Sequence, residues 1–350
     1  MRLRLIGDVV FTTPAIGALR RRFPTARIAY LVETPAEPVV RHHPDLDQVI
    51  VVERPRGLAR IGYDLRLARR LRAERFDLVI DFHGGPRSGF LTWASGAPRR
   101  IGYALPGRQL SYTTRVAWSR SLVPPRHSVL NQWDLIAPLG IAPPDGATNP
   151  VVMPIDDRAV ARVAARLASA GVPEAAPVVV LHVSAGNPFR RWPTTSFAEV
   201  AAQLAADDRA RRIIITSGPS EVDAAEAVAA QARALAGPAA DGIVRTGEFD
   251  LSELRALVGR AALYIGGDSG PLHIAATTST PVVALFGPTL PERSMPWRDP
   301  AVGGIAVDAG PLPCRPCHQR HCVPGDFRCL TGISPTMVVS AARTLLHPRP

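Results

Sequence analysis

Short apolar runs alternate with amphipathic stretches of helical period along most of the chain. Parallel strands need crossover helices between them, so this alternation restricts the chain to an α/β architecture with parallel sheets. In the first half, 27–32, 48–52 and 76–81 read as strands, and 9–23, 59–74 and 87–94 as helices. The segment 142–154 loses all periodicity and carries the turn-forming run Pro143-Pro144-Asp145-Gly146, which marks a boundary. Beyond it the pattern restarts, with helices over 159–170, 196–206, 220–236, 251–260 and 271–277 and strands over 177–183, 212–216, 242–245, 263–266 and 281–286. A last helix is expected over 334–347. Two Rossmann-like doubly wound domains follow, 1–150 and 151–350, facing a cleft lined by the carboxyl ends of their strands, where α/β proteins bind ligands.

Charge narrows the chemistry. All 41 basic residues are arginine, against 30 acidic ones, for a net charge of +11. With no lysine there is no Schiff base, no pyridoxal anchor and no P-loop lysine. An arginine-only chain with 35 prolines reflects GC-rich coding, so its total basicity says little about nucleic acid. Position says more: residues 1–150 hold 22 arginines against 12 acids, residues 151–350 hold 19 against 18, and 54–126 alone hold 15 against 4. The first domain therefore presents either a solvated basic face or a surface for an anionic partner. Nucleic acid is disfavoured, because only 6% of residues are aromatic and none interleave with the arginines as stacking platforms. A composition 46% hydrophobic and 20% charged excludes a disordered or fibrous chain. Neither a signal peptide nor a long apolar run is present, which points to a cytoplasmic protein with at most peripheral membrane contact.

Three segments carry candidate chemistry. In Tyr264–His273 an apolar strand enters a Gly-Gly turn, then Asp268-Ser269-Gly270-Pro271 opens a small-residue helix bearing His273. Glycines admit a ligand close to the backbone, and a helix start offers free N–H groups to an anion. The same string also reads as an ordinary capped turn, and His273 as a core histidine. In His182–Pro193, a polar loop containing Ser184 and Ala185 precedes Arg190 and Arg191, two guanidinium groups suited to phosphate oxygens or, equally, a turn pinned by Trp192. At the start, Asp8 stands where a strand gives way to a helix, as an N-cap or a general base.

In this order the motifs resemble glycosyltransferase family 9, the heptosyltransferases. They run Gly7-Asp8-Val9-Val10 with Thr13-Pro14-Ala15, Arg75–Asp81, Arg99-Arg100-Ile101-Gly102-Tyr103, Arg190-Arg191-Trp192-Pro193, Gly267–His273 and Pro281–Thr289. The resemblance implies a GT-B architecture and an inverting glycosyltransferase moving heptose from ADP-heptose to the inner core of lipopolysaccharide. By that resemblance Asp8 is the catalytic base; Ser184, Ala185, Arg190, Asp268, Ser269, Gly270 and His273 hold the donor and its diphosphate; and Thr12, Thr13, His83 and Arg87 lie on the acceptor side. It implies as partners an ADP-sugar, an anionic lipid-linked saccharide and the cytoplasmic face of the membrane, with no metal cofactor. A relative using another nucleotide sugar or acceptor is the alternative. Outside enzymes, a basic nucleic-acid-binding protein is the disfavoured one.

Three departures from the family pattern stand out. Arg190 occupies a place where relatives usually carry lysine. Only Met1 precedes Arg2 where the family has an apolar strand, which suggests a start assigned too late or a shortened first strand. The family's Asp-Leu-Gln-Gly reads Asp81-Phe82-His83-Gly84-Gly85, which bears on acceptor choice. Late in the chain, Cys314, Cys317, Cys322 and Cys329 have the flavour of the heptosyltransferase II branch. They read as reduced structural thiols or, less favoured, as ligands of zinc or an iron–sulfur cluster.

Overall fold

The computed structural model describes residues 1–118, 124–183 and 185–347. The chain divides into two units, Met1–Pro154 and Ile155–Pro350. In the second, the strands β6 (Val178–His182), β7 (Arg212–Thr216), β8 (Ile243–Val244), β9 (Leu263–Gly267), β10 (Val282–Phe286) and β11 (Gly304–Asp308) pair in parallel in the order β11-β10-β9-β6-β7-β8. The chain winds outward from β6 through β7 to β8, then returns beside β6 as β9 and winds the other way. The crevice between β6 and β9 is therefore this sheet's topological switch point. β6 and β10 are buried at every residue, as strands covered on both faces must be, and their Val-rich sequences supply both faces.

The first unit repeats the idea with fewer ladder bonds. Strands β1 (Ala29–Glu33) and β2 (Gln48–Val52) form one parallel pair, and β3 (Leu78–Asp81), β4 (Arg99–Tyr103) and β5 (Thr114–Val116) a parallel triplet. Extended residues 1–3 lie between them. The Met1 ammonium donates to the Ile80 carbonyl at 2.5 Å and Phe82 N–H donates back to the Met1 carbonyl at 3.0 Å, while Arg2 N–H reaches Leu31 O at 3.3 Å and Glu33 N–H reaches Leu3 O at 2.9 Å. Residues 1–3 thus occupy this unit's own switch point. Behind Met1, a cavity of about 460 Å³ runs between the amino-terminal halves of β1 and β3, lined by Phe23, Leu31, Ile50, Leu71 and Leu78 among others.

The single helix expected over 9–23 is two, α1 (Ile6–Val10) and α2 (Thr13–Arg22). Pro14 cannot donate a backbone hydrogen bond and belongs in a first turn, so a new helix starts there. The hydroxyls of Thr12 and Thr13 close the joint by donating to the carbonyls of Val9 and Val10, both at 2.7 Å. Helices α3 (Ala59–Ala73) and α4 (Pro86–Ala94) follow on either side of β3, and α5 (Ser128–Trp133) follows β5. In the second unit the crossovers include α6 (Asp157–Ser169), α7 (Thr194–Asp207), α8 (Val222–Ala236), α9 (Leu251–Arg260) and α10 (Gly270–Ala275), with α11 (Pro291–Ser294), α12 (Arg328–Thr331) and the terminal α13 (Pro335–Leu346). α6 buries Ala159, Val163 and Leu167 at four-residue spacing and is capped by the Asp156 carboxylate on the N–H groups of Arg158 and Ala159. α9 carries a capping box between Asp250 and Glu253.

Candidate functional site

In the second unit, the loop after β6 and the turn after β9 meet at the switch point. Gly267 ends β9, and the Arg190 carbonyl stands beside it, 3.6 Å from where a Cβ would be. Asp268, only 3% exposed, follows at once. Arg190 Nη1 donates to the Asp268 carbonyl at 2.9 Å and to its carboxylate at 3.0 Å; the Thr289 hydroxyl donates to the same carboxylate oxygen at 2.6 Å; His273 Nε2 lies 3.6 Å from the other. Burial works to raise the pKa of Asp268, but His273, the Arg190 charge and the Thr289 hydrogen bond outweigh it and hold the carboxyl at about 2. The group is an anion whose task is to orient cations and hydroxyls.

Arg190 is fixed from its other side as well. Its Nε donates to Gln319 Oε1 at 2.7 Å, and Asn187 donates to that oxygen at 2.8 Å. Its Nη2 makes no hydrogen bond among the described residues, so a planar donor held at two points keeps one edge for a ligand. Arg191, by contrast, is spent on structure: it donates to the Ala185 carbonyl at 3.1 Å and to Glu221 at 2.6 Å. Trp192 anchors the turn, with its indole N–H on Ile333 O at 3.0 Å and its ring edge-on to Phe197. Ser269 Oγ is buried with no hydrogen-bond partner among the described residues, just ahead of α10, a helix of only six residues. Ser184 lies outside the described residues; Ala185 is buried, and Gly270 opens α10. His182, one residue before the loop, is buried and pushed down to about 4 by desolvation, hence neutral.

In the first unit, Asp8 sits on α1, just after residues 1–3 leave their switch point. Its carboxylate is paired with the Arg2 guanidinium, whose Nη1 also donates to the Phe82 carbonyl at 2.6 Å. One carboxylate oxygen is thereby fixed, while the side chain remains 31% exposed. Gln132 donates to the Asp8 carbonyl at 3.3 Å. His83 is half-buried beside this pair, and desolvation followed by the Arg2 charge lowers its pKa, so the ring is neutral near pH 7. The neighbouring Asp81 is wholly buried: it accepts from the N–H groups of His83 and Gly84 and from the Tyr112 hydroxyl at 2.7 Å. Tyr112 can lie there only because residue 102 is glycine, where a Cβ would stand 2.4 Å from the ring.

Thr12, Thr13 and Arg87 are placed as structural parts. Both threonines are buried in the α1–α2 joint, Thr12 against the Tyr30 hydroxyl at 2.6 Å and Thr13 accepting from Val152 N–H at 2.8 Å. Arg87 is buried among Asp64 at 2.7 Å, Glu33 at 3.1 Å and the Glu53 carbonyl at 2.7 Å. Sequence reasoning missed Arg2, Gln132 and Gln319, which come to these places through folding and carry no motif of their own, and gave no role to Thr289, the last residue of the Pro281–Thr289 motif. The four cysteines are half-buried and unbridged, and Cys329 is raised by burial and by the nearby Cys317, Cys314 and Cys322. Among the described residues no three His, Cys, Asp or Glu side chains are arranged to hold a metal ion.

Comparison with known proteins fits this geometry. A lipopolysaccharide heptosyltransferase 3 of Escherichia coli is 28% identical over 91% of this chain and 92% of its own length. The crystal structure of a glycosyl transferase family 9 protein from Veillonella parvula superposes with a TM-score of 0.83 at 24% identity, covering 98% of this chain and 95% of that one. The structure of Escherichia coli ADP-heptose lps heptosyltransferase II gives 0.73 at 18%, covering 99% and 98%. These neighbours show the fold expected from the resemblance, GT-B with parallel α/β sheets. The cysteines had suggested the heptosyltransferase II branch; the relatives matched over most of the chain include a heptosyltransferase 3 at 28% identity as well as a heptosyltransferase 2 of Haemophilus influenzae at 23%, and the higher identity lies with the former. Residues 64–325, three quarters of the chain, match the glycosyltransferase family 9 (heptosyltransferase) profile, and the protein belongs to that family of glycosyltransferases.

Proposed function

We propose that the protein transfers heptose from ADP-heptose to an anionic saccharide of the lipopolysaccharide inner core, at the cytoplasmic face of the membrane and with inversion at the anomeric carbon. The observation that carries this reading is the Arg190–Asp268 pair at the switch point of the second sheet, where open α/β sheets receive nucleotides. Arg190 meets the diphosphate and stabilises the negative charge that develops as ADP leaves; Asp268 and Gln319 hold its fork in place. Asp8 takes the proton of the acceptor hydroxyl as that oxygen attacks the anomeric carbon, with Arg2 fixing the carboxylate. The names of the relatives, heptosyltransferases of lipopolysaccharide, support the donor and acceptor classes. The His83 loop, which departs from the family pattern beside Asp8, favours a second reading in which the acceptor is a different anionic saccharide.

The test is ADP release from ADP-heptose in the presence of phosphorylated or Kdo-bearing acceptors, with GDP- and UDP-sugars as competitors. Asp8→Asn is expected to lower turnover by about 10²-fold or more while ADP binding stays as in the parent. Equal loss of both would make Asp8 structural, and no turnover on any such acceptor would remove the substrate assignment.

A further inference from the structure

Helix α3 has two apolar faces where a surface helix needs one. Leu67 and Leu71 point inward to the core of the first unit. On the opposite face, Leu58 at the N-cap, Ile61 and Leu65 follow at helical spacing and are 85%, 59% and 48% exposed. Burial of the inner face explains Leu67 and Leu71; nothing within the unit explains the outer three.

The surroundings say what covers them. The same outer face continues through Arg69 and Arg72, the flanks carry Arg66 and Arg70, and Arg54 and Arg56 precede the helix; all six are exposed. Among the described residues none of the six is ion-paired. The one acid on α3, Asp64, is taken up by Arg87 and Arg60. Elsewhere in this unit some exposed arginines are ion-paired, as Arg41 is with Glu37 and Arg27 with Glu74. An apolar stripe about two turns long, ringed by unneutralised guanidinium groups, complements a bilayer whose headgroups are anionic and whose acyl boundary lies just beneath them. A protein partner of ordinary composition would bring mixed charge to such a rim.

We propose that the outer face of α3 is a membrane-docking surface, with Leu58, Ile61 and Leu65 entering the acyl boundary of an anionic leaflet and the arginines meeting its phosphates. The proposal sharpens the reading of a lipid-linked acceptor and depends on it only for its purpose, so the test uses vesicles that contain no saccharide acceptor. The full chain is mixed with vesicles of phosphatidylcholine alone or with about a third phosphatidylglycerol and separated by flotation. The parent is expected to float with the anionic vesicles about tenfold more than with the neutral ones, and less as salt rises. The triple variant Leu58→Ser, Ile61→Ser, Leu65→Ser is expected to lose about tenfold of that binding at an unchanged melting midpoint, since all three side chains are exposed. Flotation of the triple variant equal to the parent's, or no flotation of the parent, overturns the proposal. So does a parent dimer that the triple variant converts to monomer, which would make the face a contact between copies. Loss of sugar transfer with every donor would overturn the functional reading and leave these vesicle results standing.

Discussion

Replacing Arg190 by lysine keeps a positive charge and removes a geometry. The arginine spans Asp268, at 2.9 and 3.0 Å through Nη1, and Gln319, at 2.7 Å through Nε. A lysine ammonium can stand beside one of these partners and cannot bridge both. Each hydrogen bond to a charged group contributes about 1.5–3 kcal/mol; one such bond is lost, the charge near Asp268 is kept, and Thr289 still serves the carboxylate, so the net cost is about 1–2 kcal/mol. Transferred to the diphosphate that the same fork meets, this is a rise of about 5–30-fold in the ADP dissociation constant. Titration calorimetry with ADP reads it directly, and the melting midpoint of the free protein reports the structural share. Arg190→Gln goes further: it removes a cation from a carboxylate only 3% exposed, at a cost of about 3 kcal/mol, and ADP should bind more weakly still. ADP affinity within about twofold of the parent in the lysine variant would show that only charge counts. The same affinity in the glutamine variant would take Arg190 out of the diphosphate site.

Acid should expose Asp268 by its sign. Its folded pKa, about 2, lies below the usual 3.8, so its contribution is complete above pH 4 to 5 and is lost as pH falls through 2. A shift of this size amounts to about 2–3 kcal/mol, of which roughly 1 kcal/mol is gone by pH 3, and urea titrations of the parent should show that loss where Asp268→Asn shows none. Arg87→Met should destabilise the first unit by about 3–5 kcal/mol, because Glu33 and Asp64 lose their shared cation, while ADP binding stays unchanged; a drop in ADP affinity without a drop in stability would contradict this.

How much of this was legible in the sequence depended on how local each signal is. The strand over 48–52 is found with its predicted limits, and the helix over 251–260 likewise, because apolar periodicity and a capping box are written in adjacent residues. β11 was not anticipated: as an edge strand beginning at glycine it has one fully buried residue in five and lacks the apolar run by which interior strands announce themselves. The break between α1 and α2 was legible in Pro14 but was overridden by the longer periodicity around it. At the candidate site, Asp268 and Arg190 stand in recognisable loops, whereas Thr289 and Gln319 reach Asp268 and Arg190 from 21 and 129 residues away, a proximity that only the fold creates. Arg87 shows the converse limit. A guanidinium in an arginine-rich domain looks available until burial and three carboxyl or carbonyl partners claim it.

Arginine is the chain's only fixed cation, and the two units use it in opposite ways. In the second unit the guanidinium groups are largely internal fasteners: Arg162 and Arg166 on Glu253, Arg245 on Glu226 and Glu248, Arg315 on Asp308 and Arg343 on Asp207. Arg190 belongs to this set and differs by keeping an edge open beside a buried anion that positions it. This unit is near-neutral by count, 19 arginines against 18 acids over 151–350, and pairing uses up many of its cations locally, so that the oriented Arg190 meets an anionic ligand against a quiet background. In the first unit the arginines of α3 other than Arg60 have no ion-pair partner among the described residues, and their charge faces outward as a field. A field of that kind recruits by attraction that salt weakens, whereas a single oriented fork selects by geometry that salt barely touches. Raising ionic strength should therefore weaken vesicle binding steeply and ADP binding only slightly. Equal salt sensitivity of the two would mean that the donor, like the membrane, is held by diffuse charge, and that the fork at Arg190 is not what binds it.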